Sequence, residues 1–303
     1  CIEPYIHNTP VLSSTLINEI AGASLVFKCE NFQKMGAFKM RGATNAIMQL
    51  SEGKRKKGVV THSSGNFAQA LSLAAKSLGI KAYIVMPSIA PQVKIDAVKG
   101  YGGEVIICEP TLQAREATAK EIEDSKGATF LHPSNDMDVI LGQGTAGKEL
   151  LEDYPDLDFI FVPVGGGGLV AGTILAAKYF GHNCKVIGGE PFEVDDAYRS
   201  LLSGKIESNS STNTIADGLK TQLGDQNFPI IQEGIEKIVR VTEQEITESM
   251  QLIWERLKIV CEASCAVALA ALLKEKVLFK DKKVGIIISG GNVDLSKLPF
   301  WQQ

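Results

Sequence analysis

The chain has 303 residues, 45% of them hydrophobic and 22% charged, with a formal net charge of −4 at pH 7. That length accommodates one large α/β domain or two smaller ones around a substantial core. The mixed-sign balance gives no basic footprint for nucleic acid and no polybasic membrane patch, and no apolar run reaches the length of a membrane span.

The opening CIEPYIHNTP lacks the charged and apolar regions of a signal peptide, and it begins without methionine, which leaves room for residues ahead of it. Cys1, Cys29, Cys108, Cys184, Cys261 and Cys265 contain no CxxC pair and are expected as buried thiols of a reducing compartment. The four histidines show no HExxH or other zinc spacing, which argues against a zinc enzyme.

After Thr9-Pro10 an amphipathic helix is expected to run to Gly22, followed by a strand over Leu25 to Glu30. Next comes FQKMGAFKMRGA, Phe32 to Ala43, with Lys39 between Phe38 and Met40 and glycines at Gly36 and Gly42. An ammonium among apolar neighbours loses water and its pKa falls, which is how a lysine becomes a Schiff-base former. The plain alternative is an exposed lysine opening a helix over Phe38 to Leu50. SEGKRKKG, Ser51 to Gly58, reads as a solvated connector at a domain edge, with a basic binding patch as the sharper alternative.

From Gly58 to Leu131 the strand-like runs VVTHS, AYIVMP, EVIICEP and ATFLHP alternate with helical segments such as Asn66 to Leu78 and Leu112 to Ser125, a βαβ series with a parallel sheet. A second alternation follows: a helix near Gly144 to Leu151, strand DFIFVPV, helix Leu169 to Tyr179, strand KVIGGE, and finally strand VGIIIS. Ser208 to Thr214 is a polar loop, and Thr242 with Glu245 forms a capping box opening a helix that ends near Leu257.

Three motifs fall at carboxyl ends of strands, where such sheets bind ligands. In FVPVGGGGLVAGT, Gly165, Gly166, Gly167 and Gly168 join a strand to a helix, so that backbone N–H groups and the helix dipole can hold a phosphate; a flexible turn is the plain reading. Gly166, Gly168 and Ala171 also satisfy a dinucleotide pattern with Glu190 at about the ribose-binding distance, so a nicotinamide-dependent dehydrogenase is a rival. In THSSGNFAQA, Ser63, Ser64, Gly65 and Asn66 either cap a helix or bind a carboxylate and exchange a proton. In IIISGGNVDL, Ser289 precedes Gly290, Gly291 and Asn292 and is either a turn residue or the partner of a heteroaromatic ring nitrogen. A special lysine, a phosphate cup, a hydroxyl-amide loop and a strand-end serine together are what a pyridoxal phosphate site requires, whereas a dehydrogenase needs no such lysine.

With KMGAFKMRGA, SSGNFAQA, VPVGGGGLVAG, EPFEVDD and SGGNVDL in this order, the chain resembles, over nearly its full length, the fold type II pyridoxal-phosphate enzymes of the serine racemase and serine/threonine dehydratase family. The resemblance implies two three-layer α/β/α domains with mostly parallel sheets, as in tryptophan synthase β: a large one from residues 1–49 and 136–303 and a small closing one from 50–135. It implies that Lys39, beside Phe38, bonds to the cofactor and takes the Cα proton. The glycine tetrad and Leu169 bind the phosphate, Asn66 contacts the ring hydroxyl, Ser289 faces the ring nitrogen and Glu262 lies near the cofactor; a helix cap or an exposed acid is the plain reading of Glu262.

Ser64 is expected opposite Lys39, which makes racemisation feasible; dehydratases of the threonine-deaminase type usually carry alanine there. Substrate contacts are expected from Ser63, Ser64, Gly65, Asn66, Phe67, Arg115 and Ser134. Glu190, Asp196 and the Val194 carbonyl match a Mg²⁺ or Ca²⁺ site, otherwise a solvated acidic loop. Gln69, Lys94, Tyr101 and Asn292 match parts of an ATP effector site, otherwise a dimer interface. Two departures bear on the substrate: Phe67 replaces a common histidine, and Ser134 in HPSNDMD replaces an asparagine. The expected protein is a cytoplasmic homodimer that converts serine or threonine to a 2-oxo acid and ammonia, with serine racemisation as a further activity. 3-Hydroxyaspartate is the alternative substrate, and a non-catalytic amino-acid-binding protein the alternative class.

Overall fold

The computed structural model describes residues 2–300. Two sheets organise it, with strand orders β1-β2-β10-β7-β8-β9 and β5-β4-β3-β6. The strands are β1 Val11–Leu12, β2 Ser24–Cys29, β3 Val59–His62, β4 Ala82–Pro87, β5 Glu104–Cys108, β6 Thr129–Phe130, β7 Phe159–Pro163, β8 Lys185–Pro191, β9 Ile235–Val241 and β10 Lys283–Ile288. Every pairing is parallel except β1 with β2. The strands near the sheet centres are buried along almost their whole length, as apolar runs covered on both faces must be.

The helices are α1 Thr15–Ala21, α2 Lys39–Gln49, α3 Glu52–Lys57, α4 Asn66–Ser77, α5 Gln92–Gly100, α6 Leu112–Lys126, α7 Met137–Asp153, α8 Gly168–Phe180, α9 Asp196–Ser203, α10 Phe228–Gly234, α11 Glu243–Leu257 and α12 Ala263–Lys274. Several sequence expectations change. The first helix starts only at Thr15, capped by the Ser14 hydroxyl, because Val11–Leu12 pairs with β2 instead. SEGKRKKG is solvated as expected but forms a short helix, α3, capped by Ser51, with no buried residue. ATFLHP supplies only a two-residue strand before Pro133 turns the chain. Cys108 is half-buried, not buried, and Cys1 lies outside the described residues.

The helix expected near Gly144 begins seven residues earlier, at Met137, where the Asp136 carboxylate accepts from Val139 N–H. Its three glycines obscure the apolar period because they serve close helix packing. A Cβ on Gly144 would lie 2.5 Å from Gly172 O on α8, and one on Gly142 2.6 Å from Arg41 O on α2. These contacts bring α2, α7 and α8 together behind the site. Neither β9 nor α12 was expected; α12 is buried nearly all round and so lacks an amphipathic stripe. The Thr242–Glu245 capping box opens α11 as its sequence indicates.

Candidate active site

The start of α2 is stitched to the loop after β10. Ala37 bridges Gly290, Phe38 N–H donates to Ser289 O at 3.0 Å, and Gly291 N–H donates to Gly36 O at 2.9 Å. Gly36 has φ +80°, and a Cβ there would sit 2.6 Å from Asn292 Oδ1, so the approach requires glycine. Lys39, the first residue of α2, points its amine at Pro133 O, 2.7 Å away, with the Phe38 and Phe67 ring centroids at 5.0 and 5.8 Å. Burial pulls the amine down to about 8, against the opposing pull of the Glu262 charge. Lys39 is half-buried, which sets aside the exposed-lysine alternative.

The glycine tetrad forms the junction between β7 and α8 and is buried throughout. Among the described residues no acceptor takes the N–H groups of Gly165, Gly166 or Gly167. Buried N–H groups without partners at a helix start make a built anion site, and the phosphate of pyridoxal phosphate fits it. Their other sides are filled: a Cβ on Gly166 would lie 2.4 Å from Ser134 Oγ, and one on Gly168 2.7 Å from Gln143 Oε1. Gly167, at φ +82°, abuts Asn227, whose amide donates to Gly166 O and Ser134 O. Ser134 thus packs behind the glycine loop.

Gln143 was not anticipated from sequence. It is fully buried, its Nε2 donates at 3.3 Å to the same Pro133 carbonyl that takes Lys39, and its Oε1 has no partner. It packs between the Pro133 carbonyl that takes Lys39 and Gly168 of the cup. An isolated glutamine in a glycine-rich helix carried no signal of that placement.

At the third loop, Gly65 is the N-cap of α4 with no side-chain cap, and Ser63 Oγ accepts Gly65 N–H. Ser64 and Asn66 therefore do not cap the helix, and the Ser64 hydroxyl has no hydrogen-bond partner among the described residues. Asn66 Nδ2 lies 3.2 Å from both Glu262 oxygens, and Asn66 Oδ1 accepts from Asn292. Glu262 is 5% exposed, so it is not the exposed acid; it occupies the N-cap of α12 without capping it. Burial pushes its carboxyl up to about 7, with the Asp217 charge acting in the same direction and the Asn66 hydrogen bond opposing. Ser289, at 3% exposure, stands at the end of β10 beside these groups.

An aromatic group from β3 and β6 flanks the lysine. The His62 ring stacks on Phe130 at 5.2 Å and meets His132 edge-on at 6.2 Å. His132 Nδ1 accepts Ser134 and Asn135 N–H, which places its proton on Nε2. Burial, then the His62 and Lys39 charges, lower it to about 4, so it is neutral at pH 7. Burial, then the Arg115 charge, also lowers His62, and Arg115 Nε is buried without a partner.

Glu190 and Asp196 sit apart from this centre. Both Glu190 oxygens accept backbone N–H groups, from Ala197 and Tyr198, and Asp196 accepts from Leu223 N–H and Asn209. Glu190 is 1% exposed, so it cannot meet a ribose, which removes the structural basis of the dehydrogenase rival. Burial and the Asp196 charge push Glu190 well above the usual carboxylate range. Of the residues expected at a nucleotide site, Lys94 pairs with Asp217 at 3.1 Å, Asn292 joins Asn66, Gln69 lies on α4 and Tyr101 closes α5.

Two largely parallel sheets, a cup of unpartnered N–H groups and a desolvated lysine facing it define an α/β enzyme built to hold a phosphorylated aldehyde. The chain matches the pyridoxal-phosphate dependent enzyme family over residues 2–290, and it belongs to that family, with fold type II architecture. It is 54% identical to serine racemase of Dictyostelium discoideum, covering 98% of this chain and 93% of that one. It is 47% identical to β-hydroxyaspartate dehydratase of Paracoccus denitrificans, over 99% and 95%. The crystal structure of the Dictyostelium racemase superimposes with a TM-score of 0.93, covering 97% of this chain and 95% of that one.

Proposed function

We propose that the chain is an ammonia-lyase that removes water and ammonia from a small β-hydroxy amino acid, leaving a 2-oxo acid, and that it also racemises serine. The observation that carries this reading is the Lys39 amine held on Pro133 O, a carbonyl it shares with Gln143, whose side chain packs against Gly168 of the glycine cup. Pyridoxal phosphate, when bound, supplies an electron sink for the carbanion left as a Cα proton departs. Gly165 to Gly168 and Leu169 hold its phosphate, Ser289 its ring nitrogen, and Asn66 its ring edge. Lys39, with about half its amines neutral near pH 8, accepts the Cα proton from one face. Ser64, with its hydroxyl unengaged, gives or takes a proton on the other face.

Ser63, Gly65 and Asn66 offer donors to the substrate carboxylate at the start of α4. The second reading, 3-hydroxyaspartate as substrate, is favoured by the unpartnered Arg115 Nε, which suits a second carboxylate. Phe67 is proposed to shape this pocket, and Ser134 to act on it only indirectly, from behind the glycine loop. Residues 50–135, which hold the whole four-stranded sheet, are proposed to close over the substrate as a unit, and the active form to be a homodimer.

A divalent cation is proposed at Glu190, Asp196 and the Val194 carbonyl. Burial raises both carboxyls and the Asp196 charge raises Glu190 further, so a hard cation here would relieve that strain and brace the loop before α9. ATP is proposed as an effector at Gln69, Lys94, Tyr101 and Asn292. No described helix is long and apolar enough to cross a membrane, and the unpaired thiols suit a reducing compartment such as the cytoplasm.

The test is a panel of L- and D-serine, L-threonine and the 3-hydroxyaspartate isomers, with oxo-acid release and chirality read separately. Oxo-acid formation from at least one, lost in Lys39→Ala together with the visible cofactor band, is expected. Binding of these amino acids with neither oxo-acid release nor any change of chirality would place the chain among non-catalytic binders.

A further inference from the structure

Two residues beyond Lys39, Arg41 is fully buried inside an ion cluster that the chemistry above does not use. Its Nε donates to Glu30 Oε2 at 2.7 Å and its NH2 to Glu30 Oε1 at 2.8 Å. Its other edge grips a second carboxylate, NH1 to Glu149 Oε1 at 2.6 Å and NH2 to Glu149 Oε2 at 2.7 Å, with Thr145 Oγ1 at 3.1 Å from NH1. Lys28, also fully buried, completes the balance of two cations and two anions by pairing with Glu149 Oε2 at 2.7 Å, and Thr9 Oγ1 donates to Glu30 Oε1 at 2.6 Å. One planar guanidinium is thus held along two edges by carboxylates from different elements: Glu30 follows β2 and Glu149 lies on α7.

The start of α2 has no side-chain cap of its own. At about 100° per residue, positions 39 and 41 point to nearly opposite sides of the helix. The grip on Arg41 therefore sets the rotation about the helix axis that aims Lys39 into the cleft. A two-edged planar clamp resists such rotation as a lysine ammonium cannot, since the latter is a point charge on a flexible stem. We propose that Arg41 is a positioning residue: gripped by Glu30 and Glu149, it fixes the first turn of α2 so that the Lys39 amine faces Pro133 O and the glycine cup. This rests on the reading of Lys39 as the cofactor lysine.

The test compares the full-length protein with Arg41→Lys, Glu149→Gln, and Met250→Ala, a cavity lesion at a fully buried apolar position on α11 that lowers thermal stability without altering the ion cluster. Three readouts are taken: kcat and KM for the best substrate, visible circular dichroism of bound pyridoxal phosphate, and the pH midpoint at which an acylating reagent labels Lys39 in cofactor-free protein, followed by mass spectrometry. Arg41→Lys is expected to lower kcat about tenfold or more with KM little changed. It should also reduce the visible dichroism and move the labelling midpoint up from about 8, toward an ordinary lysine, as the amine swings away from its buried seat among Glu262, His132 and the two phenylalanine rings. Glu149→Gln keeps the size and the acceptor oxygen and should shift all three in the same direction by less. Met250→Ala should shift none.

Should Arg41→Lys not fold, Glu149→Gln alone decides. Unchanged dichroism, kcat and labelling midpoint in whichever of the two folds, with a thermal loss like that of Met250→Ala, would make the cluster a packing element only and overturn the proposal. A wild-type protein that takes up no pyridoxal phosphate, while the labelling midpoint still moves in Arg41→Lys, would sink the cofactor reading and leave the positioning role standing.

Discussion

Asn66 and Glu262, 196 residues apart in the chain, meet at the mouth of the site, with the amide nitrogen 3.2 Å from each carboxylate oxygen. Because Asn66 opens α4 and Glu262 precedes α12, the contact joins the segment carrying the four-stranded sheet to the segment carrying the six-stranded one. It also holds an anion close enough to Lys39 to counter the loss of its proton.

The rate at which cofactor-free protein captures pyridoxal phosphate should therefore rise with pH to a midpoint near 8, as neutral amine becomes available. Glu262→Gln removes the charge that supports the ammonium, so the midpoint should fall further; stopped-flow absorbance measures it. A midpoint unchanged or raised in Glu262→Gln would contradict the arrangement.

The same two groups shape stability against pH. Between about 4.5 and 7 the folded Glu262 binds a proton that the unfolded chain has released, so their contribution to stability falls as pH rises. Between about 8 and 10.5 the unfolded Lys39 holds a proton that the folded one has lost, so stability rises with pH. The stability difference in urea melts between cofactor-free wild-type protein and the double variant Lys39→Met/Glu262→Gln should therefore fall from about pH 4.5 to 7 and rise above about pH 8, with other titrating groups such as His132 cancelling in the comparison.

Ser64→Ala should suppress racemisation of serine by about a hundredfold while elimination changes by less than about fivefold, since elimination needs only one base at Cα. Chiral chromatography and oxo-acid assays on the same sample separate the two rates. Equal losses would mean that Ser64 does not serve the second face.

Gly167→Ala forces a side chain onto a residue at φ +82° and against Asn227 Oδ1 at 2.7 Å. The strain and overpacking should cost about 2 to 4 kcal/mol. Pyridoxal phosphate affinity, read by absorbance titration, should fall more than tenfold as the N–H groups are displaced. Gly53→Ala, whose Cβ meets nothing within 4 Å, is the neutral comparison.

Addition of Mg²⁺ or Ca²⁺ to chelator-treated protein should raise the melting temperature by a few degrees. Asp196→Asn removes a ligand and the repulsion together, so it should abolish the response while leaving the cation-free protein no less stable. Identical melting with and without cation would count against Glu190 and Asp196 as ligands.

The βαβ runs and the glycine, serine and lysine motifs were legible because buried parallel strands are short apolar blocks and their loops carry the chemistry. Elements whose signal is tertiary were not. The last strand of the large sheet, β9, alternates charged and apolar residues like a surface segment, and α12 is apolar all round. The first turns of α7 were hidden because Gly142 and Gly144 serve close contact with α2 and α8, which erases the helical period. In the site, Gln143 and Asn227 are single polar residues in unremarked segments, and His132 lies in a segment noted only for its substrate loop; their chemistry exists only where the fold aims them.

By its residues alone the chain determined which groups could react: a lysine among apolar neighbours, a run of glycines with donors to spare, and serines at strand ends, all properties of local sequence. Whether Lys39 was solvated or desolvated, whether Glu262 was a surface acid or a buried counter-charge, and what grips Arg41 were decided only in three dimensions. The physical reason is that burial and neighbouring charge set ionisation and orientation, and the neighbours come from segments one to two hundred residues away.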